Sequence, residues 1–236
     1  MVSAYFDCFS GIAGDMILGA FVDLGMSIDF LKSEIKKIDL IGYSIHAKKI
    51  KKNKFDASDV TIIVHDDQPH RTYEDIKTLI NNSSLEKQVK KRSIEIFYNL
   101  AVAEGKVHNV DPEHVHFHEV GAVDSIIDIV GSSIALSFFD IKKVYSSALP
   151  LGSGFVFCEH GKLPVPVPAT KELLKNIPTY KTESGHEMVT PTGAAVLTTI
   201  CENFVEIHEF DLKKRIGYGA GKIKSEQPGI LRVILY

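Results

Sequence analysis

His114-Val115-His116-Phe117-His118-Glu119 places three imidazoles at alternate positions beside a carboxylate, and Asp124 and Asp128 follow closely. Alternation in an extended segment turns the three rings to one side. Neutral imidazole with carboxylate suits nickel, zinc, copper or iron and does not choose among them. The plainer reading is a polar edge segment whose histidines are solvated. The stretch that follows, Val120 to Phe139, is apolar nearly all round at helical spacing, which marks a buried helix. Asp124 and Asp128 share one stripe of it with the small residues Gly121, Gly131 and Ala135. Carboxylates on such a helix need donors, a lysine or a metal ion.

A second acidic pair is Asp7, at the end of an apolar strand, and Asp15, at the start of a helix, with Gly11 and Gly14 in the turn between them. The glycines permit tight backbone geometry, and amides exposed at a helix start can hold an anion. Asp15 suits a cap or a metal ligand better than a phosphate contact, because its own charge would compete. Thr190-Pro191-Thr192-Gly193 reads as an N-cap threonine with proline at the first helical position, and its amides form a second possible anion cradle or an ordinary cap. On these grounds Gly11, Gly14, Thr190, Thr192 and Gly193 are candidate cofactor-binding residues, and Asp7, Asp15, His116, His118, Glu119, Asp124 and Asp128 are candidate metal ligands. Cys158 and His160 lie two apart and suit a structural role equally well. Gly217-Tyr218-Gly219-Ala220-Gly221 departs from the dinucleotide fingerprint, since its third glycine is early and no helix follows. No Walker lysine motif, nucleophile elbow or His-Glu-x-x-His pattern occurs.

These residues require positioning elements, and the apolar periodicity supplies them. A strand is expected from Val2, then a turn from Ser10 to Asp15 and a helix closed by Gly25. Another helix is expected over Ile28 to Ile38, a hairpin over Tyr43 to Lys51 and Phe55 to Val64, and helices over Thr72 to Ile80 and Leu85 to His108. From Leu149 to Ala169 glycine and proline take over, a rigid loop bordering the fold. Short helices at Ala169 to Asn176 and Pro191 to Asn203 sit among short strands that end with Leu231 to Leu235. The fold class is therefore α+β (or α/β), a mixed sheet packed with helices, with a weak sub-boundary near Leu149.

The 236 residues carry 27 basic and 30 acidic side chains, a net charge of −3 that recruits neither nucleic acid nor an anionic membrane. Three scattered cysteines without a paired motif suit a reducing compartment. The first twenty residues carry Asp7 and Asp15 and lack a basic leader, unlike a signal peptide. A cytoplasmic protein is expected.

The motifs Phe6-Asp7-Cys8, Gly11-Ile12-Ala13-Gly14-Asp15-Met16, Val115 to Ser125, His160-Gly161-Lys162-Leu163-Pro164-Val165-Pro166, Thr190 to Ala195 and Gly217 to Gly221 together resemble the LarC-type nickel-insertion family, in family order across nearly the whole chain. The resemblance implies a nickel insertase or chelatase, a lyase. It would place Ni²⁺, with CTP and Mn²⁺ or Mg²⁺, into a pyridinium bis-thiocarboxylate mononucleotide, giving the nickel-pincer nucleotide of lactate racemase-type enzymes. The family motif covers His116, His118, Glu119 and Asp124, with Asp7 and Asp15 from the first turn. The resemblance also implies a further C-terminal, CTP-using domain, as the rest of a longer protein or as a separate chain. The expected partners are that domain and the sulfur-bearing nucleotide precursor, with homo-oligomerisation left open. Two other functions fit the residues: a non-catalytic metal-binding or assembly module, and a metal-dependent phosphoester hydrolase.

Overall fold

Val2–Asp7 forms β1, and its turn leads into α1 (Gly14–Asp23), which ends where Gly25 adopts a left-handed φ of 111°. The structure, a computed structural model, describes residues 2–65, 69, 71–117, 122–158, 161–206, 215–223 and 227–236. After α1 come α2 (Ile28–Ile35) and the hairpin of β2 (Tyr43–Lys52) and β3 (Phe55–Val64). The short β4 (Arg71–Thr72) precedes α3 (Tyr73–Asn82), whose Thr72 and Asp75 form a reciprocal capping box. The long α4 (Lys87–His108), β5 (His116–Phe117), α5 (Val123–Phe138) and β6 (Ile141–Ser146) follow. The glycine- and proline-rich segment holds β7 (Leu149–Leu151) and a separate two-stranded hairpin, β8 (Phe155–Cys158) with β9 (Gly161–Pro164). The chain continues through α6 (Pro168–Leu173), β10 (Thr179–Lys181), α7 (Pro191–Ile200), β11 (Asn203–Phe204), β12 (Arg215–Ala220) and β13 (Ile230–Leu235).

Seven strands form one mixed sheet in the order β11-β6-β1-β13-β12-β3-β2. Parallel pairs join β11 to β6, β6 to β1 and β12 to β3, and the remaining neighbours are antiparallel. Five strands therefore run one way, and β13 and β2 run the other. The strands come from both sides of Leu149. The mixed sheet packed with helices matches the expected class, while β6 escaped the sequence reading because Lys142 and Lys143 break its apolar pattern.

Helices α1 and α5 pack on one sheet face, with α7 beside them and α4 covering α5, α6 and α7. Alternate residues of β1 and β13, among them Ala4, Phe6, Leu231, Val233 and Leu235, point into this core. The opposite face carries a small cluster of Ala57, Ala220 and Ile230 with Phe9, Phe55 and Tyr218 against it. Among the described residues, no helix is long and apolar enough to cross a membrane.

Candidate functional site

The turn after β1 and the segment before α7 are clasped together through their backbones. Ile12 N–H donates to Met188 O at 2.8 Å, and Thr190 N–H donates to Ile12 O at 3.1 Å. Two of the predicted cofactor glycines, Gly11 and Gly193, are consumed in this clasp. A Cβ on Gly11, whose φ is 97°, would stand 2.1 Å from Met188 O, and one on Gly193 would stand 2.5 Å from Ile12 O. Thr190 caps α7 by accepting from Gly193 N–H at 3.1 Å, and Thr192 is buried. Thr190→Ala is expected to cost about 1 kcal/mol, read as a lower urea midpoint that Thr190→Ser restores.

The clasp forms one wall of a cleft of about 200 Å³ outside the carboxyl ends of β1 and β12. Ser10, Asp15, His186, Glu187, Thr190 and Lys222 are its polar lining. Of the predicted cofactor residues Thr190 reaches it, while Gly11, Gly14, Thr192 and Gly193 lie outside its lining. Crevices at this end of a sheet are the usual ligand sites of open α/β folds.

Asp15 sits in the first turn of α1, whose N-cap Ala13 offers no side-chain cap. Burial pushes its carboxyl up to about 6, and Asp59 acts in the same direction, against the pull of Lys222, the Met16 N–H and Lys52. Behind it stands Asp128 of α5. A Cβ on Gly14 would fall 2.3 Å from Asp128 Oδ2, so the bare glycine is what lets this carboxylate reach the start of α1. Asp128 Oδ1 is sealed from solvent and has no hydrogen-bond partner. Burial drives the Asp128 carboxyl well above the carboxylate range, and Asp15 and Asp124 add to the effect. The Asp128 stripe faces α1 as the helical spacing requires, and the bare Gly131 admits Leu18 and Leu31.

Lys222, directly after β12, spends its three donors on Asp59, on Val60 O at 2.7 Å and on Thr61 Oγ1 at 2.7 Å. Its ammonium lies 4.0 Å from Asp15 Oδ2. Lys52 binds Gly221 O and, at 3.0 Å, Ile223 O. Sequence reasoning missed Lys222, Asp59, Ser10 and His186, because nothing local ties any of them to Asp15.

Asp7 does not turn towards Asp15. It lies opposite Arg232 in the β1–β13 ladder and accepts from Arg232 Nε at 2.9 Å and from a second guanidinium nitrogen. His116 is exposed on β5, paired with Thr72 and close enough to Asp75 to help hold that carboxyl low. His114 belongs to a 3-10 turn, Pro112–His114, so the alternation of imidazoles begins after it. Asp124 is exposed in the first turn of α5 and accepts from Ser125 N–H at 2.8 Å. His118, Glu119, Gly121 and His160 lie outside the described residues. Among the described residues, no three His, Cys, Asp or Glu side chains converge to hold a metal ion.

The Gly-Tyr-Gly-Ala-Gly run is β12 itself. A Cβ on Gly217 would stand 2.2 Å from Ala20 O, and one on Gly219 1.8 Å from Met16 O. These glycines let α1 lie with its backbone directly on the strand, which fixes Asp15 over the strand end.

In sequence, the chain matches the nickel insertion protein family over residues 4–236. A Dictyoglomus thermophilum protein provisionally named a nickel insertion protein is 48% identical over 233 residues, covering 99% of this chain and 60% of that one. Two relatives carry the name pyridinium-3,5-bisthiocarboxylic acid mononucleotide nickel insertion protein. The one from Desulfitobacterium hafniense is 43% identical over 233 residues, covering 99% of this chain and 58% of its own length. The one from Acetivibrio thermocellus is 44% identical over 242 residues, covering 98% and 59%. The chain thus spans about 60% of the length of these relatives. No solved structure matches it. With the match running almost end to end, the chain belongs to the nickel insertion protein family.

Proposed function

We propose that this chain receives Ni²⁺ and delivers it to pyridinium-3,5-bisthiocarboxylic acid mononucleotide, in a CTP-dependent reaction that yields the nickel-pincer nucleotide of lactate racemase-type enzymes. Nickel is cargo here. The receiving residues are His116, His118, Glu119 and Asp124. The observation that carries this reading is the exposure of both His116 and Asp124, open to an incoming ion. Imidazole and carboxylate hold Ni²⁺ less firmly than the sulfurs of the acceptor, so transfer runs from protein to nucleotide without a protein nucleophile. CTP use is assigned to the part of the relatives' length that this chain does not span. The protein acts in the cytoplasm, where nickel and nucleotide meet.

Calorimetric titration with Ni²⁺ is expected to show stoichiometric binding that the His116→Ala/His118→Ala variant loses. Binding unchanged in that variant, or no binding by the folded wild type, would overturn the assignment.

A further inference from the structure

The two carboxylates between α1 and α5 differ in chemistry from the nickel-receiving residues. Asp128 Oδ1 is buried with no hydrogen-bond partner, an arrangement that leaves a polar atom uncompensated. The fold makes room for it, since Gly14 lacks the side chain that would collide with the Asp128 carboxylate. Asp15 stands on the same turn of α1 and lines the cleft beside Ser10, Thr190 and Lys222. Lys222 cannot serve as the missing partner, because its three donors already go to Asp59, Val60 O and Thr61 Oγ1.

We propose that Asp15 and Asp128 bind a hard divalent cation, Mg²⁺ or Mn²⁺, which takes the phosphate of the pyridinium mononucleotide as a further ligand, through side chains other than the nickel-receiving ones. The nucleotide part rests on the function proposed above. Donor type separates the two sites. Oxygen-only sets suit Mg²⁺ and Mn²⁺, whereas imidazole suits nickel. Mg²⁺ keeps several waters and is commonly held by one or two carboxylates plus a substrate phosphate, so two aspartates are enough. The cleft gives the phosphate its place: Asp15 stands on the wall, with the hydroxyls of Ser10 and Thr190 and the charge of Lys222 around the same space. A cation there anchors the nucleotide at the carboxyl end of β1.

Electron paramagnetic resonance of free Mn²⁺ tests this directly. The wild type is expected to take up one Mn²⁺, and Asp128→Asn to weaken that uptake at least tenfold. Asp15→Asn is the second variant should the first not fold. The His116→Ala/His118→Ala variant is expected to keep its Mn²⁺ while losing Ni²⁺. Nicotinamide mononucleotide, an available pyridinium mononucleotide, should tighten Mn²⁺ binding severalfold in the wild type. Uptake unchanged in both aspartate variants, absence of uptake by the wild type, or joint loss of both metals in the histidine variant would overturn the two-site assignment. No tightening by the nucleotide would overturn its phosphate part. Because nickel is titrated separately, Mn²⁺ uptake without Ni²⁺ binding would sink the nickel assignment and leave this one standing.

Discussion

Gly219→Ala is expected to lower the thermal midpoint of this protein by roughly 6–12 °C, which corresponds to about 3 kcal/mol or more in a chain of this size. The added Cβ would stand 1.8 Å from Met16 O and 2.6 Å from Ala20 N. Both atoms belong to the backbone of α1, so no side-chain rotation relieves the clash. Gly19 faces it from the helix, with its own Cβ position 2.5 Å from Ser58 O and 3.0 Å from Gly219 Cα. Helix and strand therefore meet backbone to backbone. Admitting one methyl group means lifting α1 off the sheet and opening gaps around the buried Ile17 and Phe21. Gly185→Ala is the control, since a Cβ there meets no heavy atom within 4 Å, and its effect should stay within about 0.5 kcal/mol. Circular dichroism melts of the two variants decide the matter, and equal midpoints would refute the close packing.

The second large effect is an inverted pH dependence. Asp15 titrates at about 6 in the folded chain against 3.8 in the ordinary state, and burial is the main cause. The folded protein therefore binds more protons than the unfolded chain between about pH 4 and 6, so this carboxyl costs stability above pH 6. As the pH falls through 6 towards 4 that cost disappears. Taken at full size the shift is worth about 3 kcal/mol, an upper bound for a side chain that keeps 20% of its surface. Asp128 acts in the same direction. Asp75, held low by its hydrogen bonds from Thr72, and Glu172, held low by Lys106 and Lys175, work the other way but below their ordinary values. Neither of these two acts between pH 5 and 7, where Asp15 changes charge.

Asp15→Asn mimics the neutral acid and should raise the urea midpoint at pH 7 without raising it at pH 4.5. The comparison is made without divalent cations, because a bound cation would stabilise the wild-type carboxylates and reverse the ranking. A wild type and variant whose midpoints differ equally at both pH values would show that Asp15 is not held out of water as the structure places it. A carboxylate kept at a cost to the fold is what a binding site at Asp15 would produce.

Much of the scaffold was legible before any coordinates. The apolar run of β1, the left-handed Gly25 after α1, the helix start at Thr72 and the Thr190-Pro191 start of α7 are local events, settled by residues within a turn of one another. The all-round apolar character of α5 likewise announced its burial and marked Asp128 as a carboxylate in need of a partner.

What the residues meet was not local, and the tertiary structure decided it. Sheet register gave Asp7 to Arg232 rather than to Asp15. The clasp between Ile12 and Val189 spent Gly11 and Gly193 on backbone contact, leaving Thr190 at the cleft. Gly14 and Gly219 acquired their roles from two helices, α5 and α1, that close on them from elsewhere in the chain. Lys222 and Asp59 joined the site through the placement of β12 beside β3. Capping and periodicity depend on neighbours along the chain, so composition and spacing reveal them. A cleft depends on which strand ends lie side by side, and that follows from the packing of the whole sheet against α1 and α5.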